Sequence, residues 1–197
     1  MINLSRLFGA VQPLISATEV QEITIITDLN SGKIINCNPE HHLDAVCRIF
    51  NHAIEHTTAL YEYDTRSIDQ VAQWFEAKAS AGLPVIGIES EAGELMGFGS
   101  YGSFRPQAAF RSTVEHSVYI DPRFQGKGLG RRLLMELIDR ARSQGYHLMV
   151  AAIDHENHAS IALHRSLGFT HAGTIEQAAY KFERWLDLDF YRLPLRL

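Results

Sequence analysis

The hexapeptide Gln125-Gly126-Lys127-Gly128-Leu129-Gly130 constrains this chain more than any other stretch. The segment before it, Thr113–Ile120, is rich in β-branched and aromatic residues and predicts a strand. After it, Leu129, Leu133, Leu134, Leu137, Ile138 and Ala141 recur at helical spacing. They predict a helix from Gly128 to about Ser143, closed by Gly145, and His147–Ile153 then reads as a buried strand. Strand, turn, helix and strand in that order form the right-handed crossover that joins parallel strands. Glycines let backbone N–H groups approach an anion, and a helix start adds unpaired N–H groups and the positive end of its dipole. Lys127, Arg131 and Arg132 add charge at the same end. The turn therefore reads as a pyrophosphate site, against the plainer reading of a tight turn alone. A Walker loop is excluded because Arg131-Arg132 stand where Lys and Ser or Thr are needed. A dinucleotide fingerprint is excluded because the glycine interval is wrong and the motif comes late in the chain.

The rest of the chain predicts an α+β domain with a mixed sheet. Residues 1–32 stand apart as an N-terminal extension with no role assigned. Leu4, Leu7, Phe8 and Val11 fall at helical spacing before Pro13, Ile23–Thr27 suggests a strand, and Asn30-Ser31-Gly32 a turn. From Lys33 onward a short strand at Ile34-Ile35 precedes a helix capped by Asn38 with Pro39 at its first position. Leu43, Val46, Cys47 and Phe50 form its apolar stripe. Residues 56–66 make a polar and aromatic loop. Ser67-x-x-Gln70 is a capping box for a second helix, which buries Ile68, Val71, Trp74 and Phe75 and stops at Gly82. Strands are expected at 85–89, 95–101, near 169–178 and near 188–193, with a helix from Asn157 to about Leu167.

Composition removes several classes of function. The 197 residues carry 18 Lys and Arg against 23 Asp and Glu, a net charge of -5, which argues against binding nucleic acid by charge. No apolar run reaches the roughly 18 residues of a membrane span. The first residues offer one early cation, Arg6, and an apolar stretch broken by Gly9, Gln12 and Pro13, so no signal peptide is expected. Two cysteines, Cys37 and Cys47, cannot build a disulfide framework or a Cys-rich zinc site; reduced thiols and a cytoplasmic setting follow. The ten histidines are scattered with no H-E-x-x-H, so no metal is expected.

Gln125-x-x-Gly128-x-Gly130 resembles the Q/R-x-x-G-x-G/A motif of the GNAT acetyltransferases. Asn157, Ser160, His164 and Gly168-Phe169 are similar to a second helix pattern of that family, N-x-x-A-x-x-x-Y-x-x-x-G-F. The strings Thr113–Ile120 and Lys181–Asp187 resemble one subgroup, the phosphinothricin and methionine sulfoximine N-acetyltransferases. The resemblance covers about residues 33–193 and makes 33–197 the acetyltransferase domain. It implies a GNAT fold, with about four helices around a mixed sheet splayed between the fourth and fifth strands, 113–120 and 147–153. It also implies acetyl-CoA as donor. By resemblance Val118, Tyr119 and Ile120 line the pantetheine arm, while Gln125, Gly126, Lys127, Gly128, Leu129, Gly130 and Arg131 hold the pyrophosphate. Asn157 would bond the arm. Splayed strands offer backbone groups that can bond such an arm as a peptide adds to a sheet edge.

Acetyl transfer to an amine requires that the amine lose a proton, that the thioester oxygen be stabilised, and that the thiolate regain a proton. At pH 7 only about one in ten α-amines is neutral, so a general base helps. Glu115, on the strand beside the thioester, is the candidate and matches the subgroup's catalytic Glu; the plain alternative is a solvated strand carboxylate. His116 points to the opposite sheet face and reads as a pocket wall or a structural residue. A backbone N–H near Val118 or Tyr119 would meet the oxyanion. His164 stands where many GNAT enzymes have Tyr. The resemblance gives it the task of protonating the thiolate; the alternative is an ordinary capped helix histidine.

For the acceptor, Arg105 and Arg111 flank the loop before Glu115 and could bind a carboxylate or phosphinate. Tyr61, Phe104 and Tyr180 could wall the pocket, and Lys181 is structural or a cation offered by a second subunit. The resulting expectation is N-acetylation of a small amino acid analogue by a homodimer. Its alternatives are a GNAT acting on a protein N-terminus or lysine, and a non-catalytic acyl-CoA sensor.

Overall fold

Asn38 opens the first helix by accepting a hydrogen bond from His41 N–H, with Pro39 at the first turn. The structure is a computed structural model and describes residues 32–196. The helical, strand and turn patterns expected within residues 1–31 lie outside the described residues. The elements are β1 (Lys33–Asn36), α1 (Pro39–His56), α2 (Ile68–Ser80), β2 (Val85–Glu89), β3 (Leu95–Ser103), β4 (Thr113–Ile120), α3 (Leu129–Ser143), β5 (Leu148–Asp154), α4 (His158–Ser166), β6 (Thr170–Lys181) and β7 (Arg184–Pro194). The capping box at Ser67 and Gln70 is formed in both directions.

The strands make one seven-stranded sheet in the order β1-β2-β3-β4-β5-β7-β6. Every neighbouring pair is antiparallel except β4–β5, which is parallel as the crossover requires. The mixed α+β architecture expected from the sequence is thus present.

Alternation along β4 divides the core in two. Val114 packs with Tyr101, Leu133, Leu137 and Met149 under α3, whereas Tyr119 packs with Val46, Phe50, Phe75 and Phe98 under α1 and α2. The stripe of α1 is rotated from the expected one. Ile49, Ala53 and Ile54 are buried, while Leu43 and Cys47 are half-buried at its margin. Ile68 is 39% exposed because it is the first residue of α2, ahead of the turn that meets the sheet.

The last two strands form a longer hairpin than expected. Their turn is Phe182-Glu183, with φ of 53° and 59°. Two consecutive positive φ values give the twist that a two-residue hairpin turn needs, but Gly, Asn or Asp usually supply them. Phe and Glu carry no turn signal, so the strands expected near 169–178 and 188–193 are shorter than the observed ones.

Candidate active site

β4 and β5 pair over only three positions, Thr113↔Leu148, Val114↔Met149 and Glu115↔Val150. Beyond Glu115 the two strands part. β4 remains bonded to β3 as far as Ile120, and β5 remains bonded to β7 as far as Asp154. Each strand therefore keeps one partner and turns its other edge to a gap. A cavity of about 730 Å³ follows this gap. Its walls are residues 115–120 of β4, 151–154 of β5, the loop at 57–61, and Gly126, Gly128 and Gly130 at the start of α3. Asn157 and His164 close it from α4.

The glycine turn has a geometry that suits an anion. Gly126 and Gly128 both have φ of 76°, in the left-handed region where glycine is favoured, and the space beside each Cα is open. Arg132 N–H is bonded to Gly128 O, so the amides of Leu129, Gly130 and Arg131 have no acceptor within the helix. These donors and the helix dipole suit a diphosphate. The unpaired edges of β4 and β5 suit an extended chain carrying amides. The residues present therefore fit a coenzyme A ester.

Of the residues expected to hold it, Val118, Tyr119, Ile120, Gln125, Gly126, Gly128, Leu129, Gly130 and Asn157 line the cavity. The Asn157 side-chain oxygen caps α4 by accepting from Ser160 N–H, and the residue borders the cavity. Lys127 and Arg131 lie outside the wall. Lys127 sits over the Phe124 ring, and Arg131 donates to Ser166 Oγ. Arg132 turns away and donates to Gly32 O.

Two candidate proton carriers meet the gap from opposite faces of the sheet. Glu115 faces the α1 side, and burial raises its carboxyl above the usual value although the Arg105 guanidinium pulls it back. His116 faces the α3 side and meets His164 with their Nε2 atoms 3.1 Å apart. Phe169 packs edge-on against both rings. Burial pushes both imidazoles below the ordinary histidine value. Strand alternation predicts this face for His116, but no local pattern signals the contact, which joins two residues 48 positions apart.

The sequence pattern of the Acetyltransferase (GNAT) family matches residues 44–169. The chain belongs to the GNAT acetyltransferase family. It is 48% identical over 153 residues to an L-methionine sulfoximine/L-methionine sulfone acetyltransferase of Pseudomonas paraeruginosa, covering 78% of this chain and 89% of that one. It is 48% identical over 151 residues to an L-amino acid N-acyltransferase of Escherichia coli, covering 77% and 87%. The solved GNAT superfamily phosphinothricin acetyltransferase of Sinorhizobium meliloti, in complex with AcCoA, superimposes with a TM-score of 0.81 at 32% identity, covering 83% of this chain and 88% of that one.

This GNAT chain distributes the expected acceptor residues unevenly. Glu115, His116 and Tyr61 line the cavity. Arg105 is exposed, stacked on Phe104 with its carbon 4.3 Å from the ring centre and donating to Phe104 O, yet it acts electrostatically on Glu115. Arg111 is exposed after the short helical turn at 108–110 and does not line the cavity. Tyr180 lies on β6 outside the cavity, against Trp185, and its carbonyl accepts from the Tyr63 hydroxyl. The strand alternation that turns Lys181 inward turns Tyr180 out.

Lys181, expected to be structural or a cation offered by a second subunit, is buried at the end of β6. It is 4% exposed and donates to Ile54 O at 2.7 Å, Thr57 O at 2.9 Å and Leu60 O at 2.6 Å. The β6–β7 hairpin thereby ties down the end of α1 and the loop that walls the cavity. The three carbonyls use all three ammonium donors, so no carboxylate is needed.

Proposed function

We propose that this GNAT enzyme transfers the acetyl group of acetyl-CoA to the amine of a small amino acid or analogue of the methionine sulfoximine, methionine sulfone or phosphinothricin type. The observation that carries the reading is the cavity along the parted β4–β5 edges, with Glu115 on one sheet face and the two histidines on the other. The names of the similar enzymes support the acceptor class.

Acetyl-CoA, when bound, supplies an activated acetyl thioester. The residues 126–131 and the β4 edge at 118–120 hold it by backbone donors, and Asn157 adds its NH₂. Glu115 takes the proton of the acceptor ammonium; its raised carboxyl pKa brings it closer to working pH, where a general base is most effective. A backbone N–H near Val118 or Tyr119 meets the developing oxyanion. Arg105 beside Glu115 attracts the acceptor's anionic group. The tethered loop at 57–61 closes the acceptor side, which favours a small molecule over a protein tail.

We extend the reading to a cytoplasmic homodimer. Its support is two free cysteines and an exposed aromatic patch of Tyr63, Tyr180, Phe182 and Trp185 on and beside the hairpin. Among the described residues no helix is long and apolar enough to cross a membrane.

The test is thiol release from acetyl-CoA against a panel of amines. L-Methionine sulfone, L-methionine sulfoximine or phosphinothricin should turn over at least about tenfold faster, by kcat/KM, than an N-terminal peptide or free lysine. Preference for the peptide would reject the acceptor class. Binding of acetyl-CoA without turnover on any amine would favour a sensor.

A further inference from the structure

We propose that His116 and His164 act as one proton-transfer unit, and that Nδ1 of His116 is the atom through which the unit exchanges protons with the reacting groups. This rests on the acetyltransferase reading above and adds a catalytic residue to it.

The hydrogen bonds fix the tautomers. His164 Nδ1 lies 2.7 Å from the Ser160 carbonyl oxygen, which can only accept, so Nδ1 carries a hydrogen. In the neutral ring His164 Nε2 is then a bare lone pair. His116 Nε2, 3.1 Å away, must donate to it. The ring planes differ by 19° and the centroids are 5.1 Å apart. With the nitrogens at 3.1 Å the rings meet nearly edge to edge, which aims the N–H at the lone pair. What remains is His116 Nδ1, an acceptor that is buried and has no hydrogen-bond partner among the described residues.

Both nitrogens of His164 are thus engaged, one by Ser160 O and one by His116. His164 has no free nitrogen to offer a leaving sulfur. His116 keeps one unpartnered nitrogen, Nδ1, and the residue borders the cavity, as His164 does. The surroundings hold the pair neutral. Tyr101, opposite His116 on β3, donates to Gln144 Oε1, and burial pushes its phenol up to about 12. Near His164 Nδ1, α4 adds the Ser160 hydroxyl at 3.3 Å. The buried faces of α3 and β5 toward this layer are apolar, with Leu133, Leu137, Met149 and Ala151, and Phe169 covers both rings. Glu115 lies across the sheet. Asp154, the β5 carboxylate on the cavity, is engaged by Arg184 at 3.6 Å. Desolvation therefore favours a neutral pair, in which His116 Nδ1 keeps an unpartnered lone pair.

The transfer balances without another reactant. Glu115 removes the first proton of the acceptor ammonium and passes it to solvent. His116 Nδ1 takes the second proton given up by the attacking nitrogen, and the His116 Nε2 hydrogen moves to His164 Nε2. The positive charge then rests on His164, whose Nδ1–H stays on Ser160 O. As the C–S bond breaks, its electron pair goes to sulfur. His116 Nδ1 delivers the proton there, and His116 Nε2 recovers its hydrogen from His164. The pair ends neutral, as it began.

Two measurements test this. Nitrogen-15 NMR of histidine-labelled full-length wild-type protein should show His164 protonated at Nδ1 and His116 at Nε2, with His116 Nδ1 bare near neutral pH. A hydrogen on His116 Nδ1 in the neutral protein would overturn the proposal. Kinetically, His116→Phe and His164→Phe should each lower kcat roughly 100-fold, with acetyl-CoA KM nearly unchanged. The double variant should lose no more than either single one, because the two act as a unit. Normal turnover in His116→Phe, or losses that multiply in the double variant, would overturn the unit and leave the acetyltransferase reading standing. A wild-type enzyme that turns over no amine would overturn both.

Discussion

Glu115 and Val150 are the last residues paired across the parallel β4–β5 ladder. One residue further, β4 has no strand on that side. The candidate base is therefore fixed by the last rung of the sheet, while the next residue, His116, opens onto the gap from the opposite face. The same step that leaves backbone of β4 unpaired thus places Glu115 and His116, the two proposed proton carriers, on opposite sheet faces.

Replacing Glu115 by Gln keeps the shape and removes the proposed base. We expect kcat to fall roughly 100-fold with acetyl-CoA affinity unchanged in a direct binding titration. The wild-type kcat/KM should rise with pH through a limb that lies above the ordinary carboxylate value, because burial raises Glu115. Glu115→Gln should lose that limb. A variant that keeps it would show that another group titrates there.

Gly128→Ala tests the cradle. Its φ of 76° is a left-handed conformation that an L side chain adopts at a cost of roughly 1–2 kcal/mol. The space beside it is open, so the strain falls on the backbone that aims the Leu129, Gly130 and Arg131 amides. Steady-state kinetics should show acetyl-CoA KM raised about tenfold, with acceptor KM little changed.

These positions show what the sequence disclosed. The turn at 126–130 and the helix it opens were legible because glycine spacing and a leucine stripe are local signals. Asn38 with Pro39 and Ser67 with Gln70 were legible for the same reason. The hairpin turn at Phe182-Glu183 was not, since neither residue favours positive φ and the flanking strands impose it. The site shows the same division. Glu115 and His164 could be singled out as candidates through the resemblance of their segments to the GNAT subgroup. The hydrogen bond between His116 and His164, and the three carbonyls on Lys181, join segments 48 or more residues apart and depend on how the layers stack.

Lys181→Met should loosen the acceptor wall. The variant leaves three carbonyls of residues 54, 57 and 60 without their donor, at a cost of at least about 2 kcal/mol. Thermal unfolding should shift down, and acceptor KM should rise more than acetyl-CoA KM. An equal rise in both would place the tether's effect on the whole fold.

Two buried aspartates set the acid limit of stability. Bonds from the Arg123 side chain hold Asp121 below the usual carboxylate value. Burial pushes Asp189 up, but hydrogen bonds with Thr174, His155 and His171 more than offset it and leave it lowered. A carboxyl lowered in the folded state stabilises fully above its unfolded pKa of about 3.9 and loses that contribution as pH falls through the folded value. Denaturant unfolding between about pH 5 and 2 should therefore weaken steeply in the wild type and less steeply in Asp121→Asn and Asp189→Asn. Equal slopes in all three would remove these groups from the acid limb.

The most direct test of the central claim is amide hydrogen exchange of the full chain with and without saturating acetyl-CoA. The account predicts slowed exchange in two segments, 116–120 on the β4 edge and 126–131 at the start of α3. Unchanged exchange in both segments under saturation would contradict the assignment of this gap as the coenzyme site.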